Sequence, residues 1–162
     1  MGMIDISSKK VTEREAVVEG KVYLKPEVLK LIKNKKIPKG DVLETAKLAG
    51  ILGAKKTPQI IPLCHPISID FVDIEFFLKT KELKIRATVK GIAKTGVEME
   101  AFVATAICAL TVYDMCKPLD KEIVISDLKL LKKTGGKSGT YIRKSTLRLR
   151  SGLMVSEVEP SK

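Results

Sequence analysis

The chain has 162 residues, of which 44% are hydrophobic, and its 30 Lys and Arg against 19 Asp and Glu give a net charge of +11. This composition predicts one folded domain over residues 1–162 and excludes a disordered chain, and without a long apolar run we expect no transmembrane span. The surplus of positive charge favours an anionic partner, either a phosphorylated metabolite, a nucleic acid or a membrane surface, although a lysine-rich surface alone gives the same composition.

The first half of the chain predicts one strand followed by two helices. Residues 1–12 carry no periodic pattern and no apolar signal-peptide core, so we expect a loosely ordered start in a cytoplasmic protein. The stretch EAVVEGKVYL then alternates apolar and polar residues, as a half-buried strand does. Pro26 opens the amphipathic stretch KPEVLKLIKNKK, which is typical of a helix. Asp41 followed by Glu44 has capping-box spacing, so a second helix, rich in Ala and Gly, should start there.

The second half predicts three strands and one long helix. Three prolines interrupt KKTPQIIPLCHP, which predicts an extended loop. The stretches ISIDFVDIEFFL and LKIRATVKGIA predict a hairpin, and the first loses its alternation near Phe71, which favours a bulge. The segment from Val97 to Cys116 is apolar almost all round and predicts a buried central helix. EIVISDLKLL predicts a last strand.

The order β-α-α-β-β-α-β predicts an α+β fold with a ferredoxin-like antiparallel sheet and packed helices. The glycine-rich stretch KKTGGKSG follows the last strand. It predicts a flexible loop that could close over a site, although it does not match the P-loop pattern. We expect residues 140–162 to form a loosely ordered tail.

Acidic residues mark both ends of the long predicted helix. Glu98 and Glu100 would point about 200° apart on a regular helix, so they can share a site only if the helix begins beside them or if the site lies between subunits. The helix dipole alone also explains acids in a first turn. At the other end, partial burial and the negative helix terminus should raise the pKa of Asp114, and Lys117 should limit the rise. The two residues form either an acid–base pair or a structural ion pair.

His65 is the only histidine, and it lies in the proline-rich loop beside Cys64. No second histidine and no C-x-x-C spacing accompany it, so we predict no metal site. Because a histidine titrates near neutrality and prolines stiffen this loop, proton transfer or phosphate binding is favoured over packing. A Cys64–His65 nucleophile–base pair is disfavoured, because adjacent residues of an extended chain point apart.

Four stretches, IPLCHP, KTGVEMEA, ALTVYDMCK and GGKSG, occur in this order. With them the chain, from Arg14 to Gly139, resembles the molybdenum cofactor biosynthesis protein C family, the cyclic pyranopterin monophosphate synthases. The resemblance implies a lyase that converts (8S)-3',8-cyclo-7,8-dihydroguanosine 5'-triphosphate to cyclic pyranopterin monophosphate and releases pyrophosphate. It also implies a ferredoxin-like fold and a homohexamer, a trimer of dimers, with sites at subunit interfaces and no cofactor.

The resemblance further implies roles for single residues. The catalytic residues would be Asp114, Lys117 and Lys39. Substrate-binding residues would be Leu63, Cys64, His65, Glu98, Met99, Glu100, Lys137 and Arg14. The partner is then a small GTP-derived molecule, and we expect neither a nucleic acid nor a membrane. Aromatic residues are only 4% of the chain, whereas RNA-binding sheets stack bases on exposed aromatics. A structural, hexamer-forming scaffold is the other alternative, and it would not need Asp114 and Lys117.

Overall fold

The computed structural model describes residues 2–148 and 154–157, with side chains for residues 2–144. The elements, in chain order, are β1 (Thr12–Tyr23), α1 (Pro26–Lys33), α2 (Val42–Lys55), α3 (Thr57–Ile60), β2 (Phe71–Leu78), β3 (Glu82–Ala93), α4 (Glu98–Cys116), β4 (Val124–Thr134), β5 (Tyr141–Ile142), β6 (Ser145–Arg148) and β7 (Met154–Glu157).

Five strands form one antiparallel sheet in the order β2-β3-β1-β4-β5, and β6 pairs with β7 separately. The central strand, β1, pairs with β3 along its whole length, from Thr12 opposite Ala93 to Tyr23 opposite Glu82. The α+β prediction and its order of main elements are confirmed, with four short elements added: α3, β5, β6 and β7. The loosely ordered tail predicted for residues 140–162 stays a prediction, and residues 149–153 and 158–162 lie outside the described part of the chain.

The core lies between the sheet and the helices. Alternate residues of β1, among them Ala16, Val18 and Val22, are fully buried, as the alternation predicts. The α4 helix packs against this face and against α2, which approaches closely at Gly50, where an added Cβ would collide with the Cys108 sulfur. By length and composition α4 could also cross a membrane, but more than half of it is buried in the fold, as in an ordinary core helix.

Two local predictions are wrong. The segment after α2 is not wholly extended, because residues 57–60 form α3, whose first turn accommodates Pro58 without losing a hydrogen bond. The predicted bulge near Phe71 does not occur, since β2 pairs with β3 without a register shift. The alternation changes there because the strand begins at Phe71. Register shifts occur instead between β1 and β4.

The open face of the sheet carries an acidic row on β1 between basic rows on β3 and β4. Glu15 pairs with Lys90 at 3.2 Å and with Lys132 at 2.7 Å. Glu19, only 6% exposed, lies 3.1 Å from Arg86 and also pairs with lysines of β3 and β4. Two carboxylates of β1 thus pair with five cations of this face and offset part of their charge.

Candidate active site

The first turn of α4 forms part of a cavity of about 280 Å³. Six predicted site residues line it, three from the loop after α3 and three from the start of α4: Leu63, Cys64, His65, Glu98, Met99 and Glu100. The helix begins at Glu98, so Glu98 and Glu100 reach one cavity although they are two residues apart. The sequence allowed the two glutamates to share a site if the helix began beside them, and this condition is met.

Glu100 has the most unusual environment in this cavity. It is only 3% exposed, and its Oε2 has no hydrogen-bond partner among the described residues. Burial raises its pKa, and the nearby charge of Glu98 raises it further. The Glu100 carboxyl group is thus shifted towards its protonated form, in which it can donate a hydrogen bond or a proton.

The Cys64 thiol is not prepared for nucleophilic attack. Burial raises its pKa, and the charge of Glu100 acts in the same direction. Because the thiolate is the reactive form, this environment makes the thiol less reactive. The structure thus agrees with our rejection of a Cys64–His65 pair, although both residues line the cavity.

A second cavity of about 740 Å³ adjoins the first, and the lining of both includes Glu98. It is strongly basic. Its lining includes six cationic residues, Lys9, Lys10, Arg14, Lys94, Lys133 and Lys137, and Glu98 is the only acid among the described lining residues. The sequence predicted only Arg14 and Lys137 of these cations. The four missed lysines resemble ordinary surface lysines in sequence, and only the pairing of Thr12 with Ala93 brings the N-terminal ones beside Lys94.

The glycine loop lies tightly against Arg14. The Arg14 Nε and Nη2 atoms donate to the carbonyl oxygens of Ala93 and Lys94, both at 3.3 Å. Gly136 has φ +75°, and an added Cβ would clash with the Arg14 guanidinium group. Only a glycine satisfies both conditions, so the loop can approach closely and bring Lys137 to the cavity.

The three predicted catalytic residues meet near the other end of α4. Asp114 Oδ1 lies 2.7 Å from the Lys117 Nζ, and Asp114 Oδ2 lies 2.8 Å from the Lys39 Nζ. The Lys39 ammonium group also donates to the Asp114 carbonyl oxygen at 3.0 Å. Lys39 comes from the loop before α2, so the trio is assembled by the tertiary fold.

The predicted rise in the pKa of Asp114 is wrong. The side chain is 56% exposed, and the hydrogen bonds from Lys117 and then Lys39 lower its pKa to about 2. Exposure removes the expected burial penalty, and two ammonium groups outweigh the negative end of the helix. Asp114 is therefore a carboxylate throughout the neutral pH range.

The two groups of predicted site residues do not meet within one chain. Glu98 begins α4 and Asp114 lies sixteen positions further along it, a distance of roughly 24 Å along the helix axis at 1.5 Å per residue. A substrate bound at the two cavities of one chain thus lies far from the same chain's Asp114. Among the described residues, no group of three or more His, Cys, Asp or Glu side chains could hold a metal ion.

Comparisons with known proteins agree on one family. The MoaC family model matches residues 3–136. A cyclic pyranopterin monophosphate synthase of Heliobacterium modesticaldum is 50% identical over 143 residues, 87% of this chain and 90% of that protein. The synthase of Brevibacillus brevis is 52% identical over 142 residues, with 87% and 89% covered. The protein of the same name from Aquifex aeolicus is 51% identical over 143 residues, but the match spans 88% of this chain and only 56% of that protein.

Proposed function

The chain belongs to the MoaC family, and on this basis we propose that it is a cyclic pyranopterin monophosphate synthase, a lyase of molybdenum cofactor biosynthesis. Its substrate is (8S)-3',8-cyclo-7,8-dihydroguanosine 5'-triphosphate, and its products are cyclic pyranopterin monophosphate and pyrophosphate. The observation that carries this proposal is the pair of adjoining cavities, one lined by six cationic residues and one by His65 and a buried acid.

The two cavities divide the substrate between them. The triphosphate occupies the basic cavity, where Arg14 and Lys137 form charge-assisted hydrogen bonds to its oxygens. The ring system occupies the smaller cavity beside His65 and Met99. There Glu100, whose pKa is raised by burial, donates to a ring nitrogen or oxygen, and this contact satisfies its unpartnered Oε2.

Asp114 organises the catalytic lysines. A carboxylate with a pKa of about 2 is a weak base while both ammonium groups contact it. An anionic substrate attracts Lys39 or Lys117 away from it, and the pKa of Asp114 then rises towards its ordinary value. In this arrangement Asp114 first holds the lysines in position and then accepts a proton once the substrate is bound.

A complete site needs two subunits, so we propose a homohexamer, a trimer of dimers, with the Asp114 trio of one subunit facing the two cavities of its partner. Two separate sets of exposed apolar residues support two kinds of interface: Leu48, Leu52 and Leu110 on α2 and α4, and Val124 and Leu128 on β4. Light scattering should report about six subunits, and a clean monomer would contradict the shared site.

We also assign the chain to the ferredoxin-like folds, which its interleaved β-α-β units support. We place the protein in the cytoplasm, where GTP-derived metabolites are made.

The test of the function is direct. The purified protein, incubated with the purified cyclic dihydro-GTP substrate, should release pyrophosphate and form the cyclic monophosphate. Asp114→Asn should abolish product formation while the protein still folds and binds substrate, and His65→Gln should retain partial binding with a much lower rate. Wild-type protein that forms no product contradicts the proposed function. Near-normal turnover by Asp114→Asn would make Asp114 only a partner in an ion pair.

A further inference from the structure

The N-terminal segment contributes to both cavities. Ile4 and Ile6 line the smaller one, Lys10 lines the basic one, and Lys9 lines both. Lys9 is the only lysine or arginine among the described residues that line the smaller cavity. Neither the motifs in the sequence nor the family resemblance assigned a role to this segment.

The segment is fixed against the body of the protein. The Lys94 ammonium group donates to the Ser7 carbonyl oxygen at 2.9 Å. The Asp5 Oδ1 atom accepts hydrogen bonds from the Ser7 amide at 2.8 Å and hydroxyl at 2.6 Å, and the Lys9 amide donates to the Ile6 carbonyl oxygen at 3.1 Å. Lys9 therefore follows a tight turn that one hydrogen bond holds to the loop between β3 and α4, at the boundary of the two cavities.

Each cavity also has a lining residue with a polar atom that lacks a hydrogen-bond partner among the described residues. In the smaller cavity it is the Glu100 Oε2 atom, and in the basic cavity it is the Thr12 hydroxyl oxygen, both shielded from solvent. Unpartnered buried polar atoms are rare in folded proteins because they cost free energy. The Arg86 Nε atom, on the open face of the sheet, has no partner among the described residues either, so these atoms alone do not identify a ligand. The two cavities are joined by Lys9, which lines both.

We propose that Lys9 contacts the phosphate group nearest the ring system, the phosphate at which the substrate is cleaved; the proposal rests on the synthase function above. With the ring in one cavity and the triphosphate in the other, this first phosphate lies at their boundary. In the cleavage step, an alcohol oxygen of the substrate forms a bond to the first phosphorus and releases its proton to water. The bond from this phosphorus to the bridging oxygen breaks, and pyrophosphate leaves with the electron pair. The Lys9 ammonium group stabilises the negative charge that develops on the bridging oxygen.

The position of Lys9 predicts a separation of effects between two neighbouring lysines. Pyrophosphate corresponds to the two outer phosphates and occupies only the basic cavity. Lys9→Ala should therefore lower kcat about tenfold or more, the effect of losing one charge-assisted contact. Because Lys9 meets only the pyrophosphate oxygen nearest the boundary, calorimetry should show a smaller loss of pyrophosphate affinity than for Lys10→Ala. Lys10→Ala should weaken pyrophosphate binding about tenfold by the same reasoning and raise KM more than it lowers kcat. Lys9→Arg should restore most of the rate, because it keeps the charge.

Guanosine 5'-monophosphate makes the test independent of turnover, because it combines a ring with a single phosphate. Lys9→Ala should weaken its binding, whereas Lys81→Ala, in the exposed turn between β2 and β3, should change neither binding nor rate. Unchanged kcat and unchanged monophosphate affinity in Lys9→Ala would overturn the proposal. So would a loss of pyrophosphate affinity as large as that of Lys10→Ala. A wild-type protein without turnover would contradict the synthase function alone, and the monophosphate titration would still decide the position of Lys9.

Discussion

A shared active site makes a quantitative prediction for mixtures of two inactive variants. Glu100 and Asp114 lie at opposite ends of α4, roughly 21 Å apart along the axis. If each site takes its cavities from one subunit and its Asp114 trio from the partner, Glu100→Gln and Asp114→Asn inactivate different halves of the site. A mixed dimer then contains one doubly substituted site and one site with no substitution.

The expected recovery follows from counting subunits. In an equal mixture after complete subunit exchange, about half of the sites have intact cavities, because half of the subunits carry an unchanged Glu100. About half of those sites also receive an intact Asp114 trio from the partner subunit, so about one quarter of wild-type activity should return. The assay is pyrophosphate release by each variant alone, by the mixture, and by wild type at equal total protein. Tagged subunits and native mass spectrometry verify that exchange is complete.

A matched control uses two variants of the same half. Lys39 and Asp114 contact each other within one chain, at 2.8 Å. A mixture of Lys39→Ala and Asp114→Asn subunits thus never forms an intact trio and should stay at the level of its components. Restored activity in this control, or no recovery with Glu100→Gln after verified exchange, would refute the division of the site between subunits.

Three further predictions concern single residues. Lys137→Ala should weaken pyrophosphate binding about tenfold, the loss of one contact worth roughly 1.5–3 kcal/mol, without lowering the melting temperature, because Lys137 is exposed in a loop; calorimetry and thermal melts test both. Burial raises the pKa of Glu100 above its ordinary 4.5, so the contribution of its protonated form to stability is fully present below 4.5 and is lost as the pH rises through the folded-state value; Glu100→Gln should raise the melting temperature at pH 8 but hardly at pH 4, and an equal rise at both would contradict this. Gly50→Ala would place a Cβ against the Cys108 sulfur and a backbone carbonyl of α4 and should cost about 1–3 kcal/mol in urea unfolding, whereas Gly2→Ala, with nothing within 4 Å, should cost nothing.

The sequence predicted the elements whose pattern is set by neighbours in the chain. The alternation in β1 matches its buried residues, and Asp41 caps α2 by accepting from the Glu44 amide at 3.2 Å. The helix α3 was missed because four residues are too few to show the 3.6-residue repeat of apolar side chains that marks a helix. Its first residue, Thr57, is buried and donates to the Ala54 carbonyl oxygen at 3.0 Å, a contact that depends on the end of α2.

The site was predictable as separate motifs but not as an arrangement. The spacing of Asp114 and Lys117 within one helix turn gave their ion pair, but the lysine that completes the trio lies 75 residues away in sequence. The exposure of Asp114 and the hydrogen bonds from Lys117 and then from Lys39 reversed the direction of the pKa shift predicted for Asp114. Lys9 was missed for the same reason. Its segment carries no periodic pattern, and only strand pairing in the fold brings it to the two cavities.

The paired charges on the open face of the sheet determine where the surplus charge of the protein acts. Because Glu15 and Glu19 offset part of the charge of the sheet cations, the positive potential is stronger at the basic cavity, which has six cations and one acid among its described lining residues. Such a field speeds the diffusional capture of a polyanion and is screened over about 8 Å at physiological ionic strength. The same field retains pyrophosphate after cleavage. Rising salt therefore slows substrate capture and speeds product release, so the rate should pass through a maximum at an intermediate ionic strength.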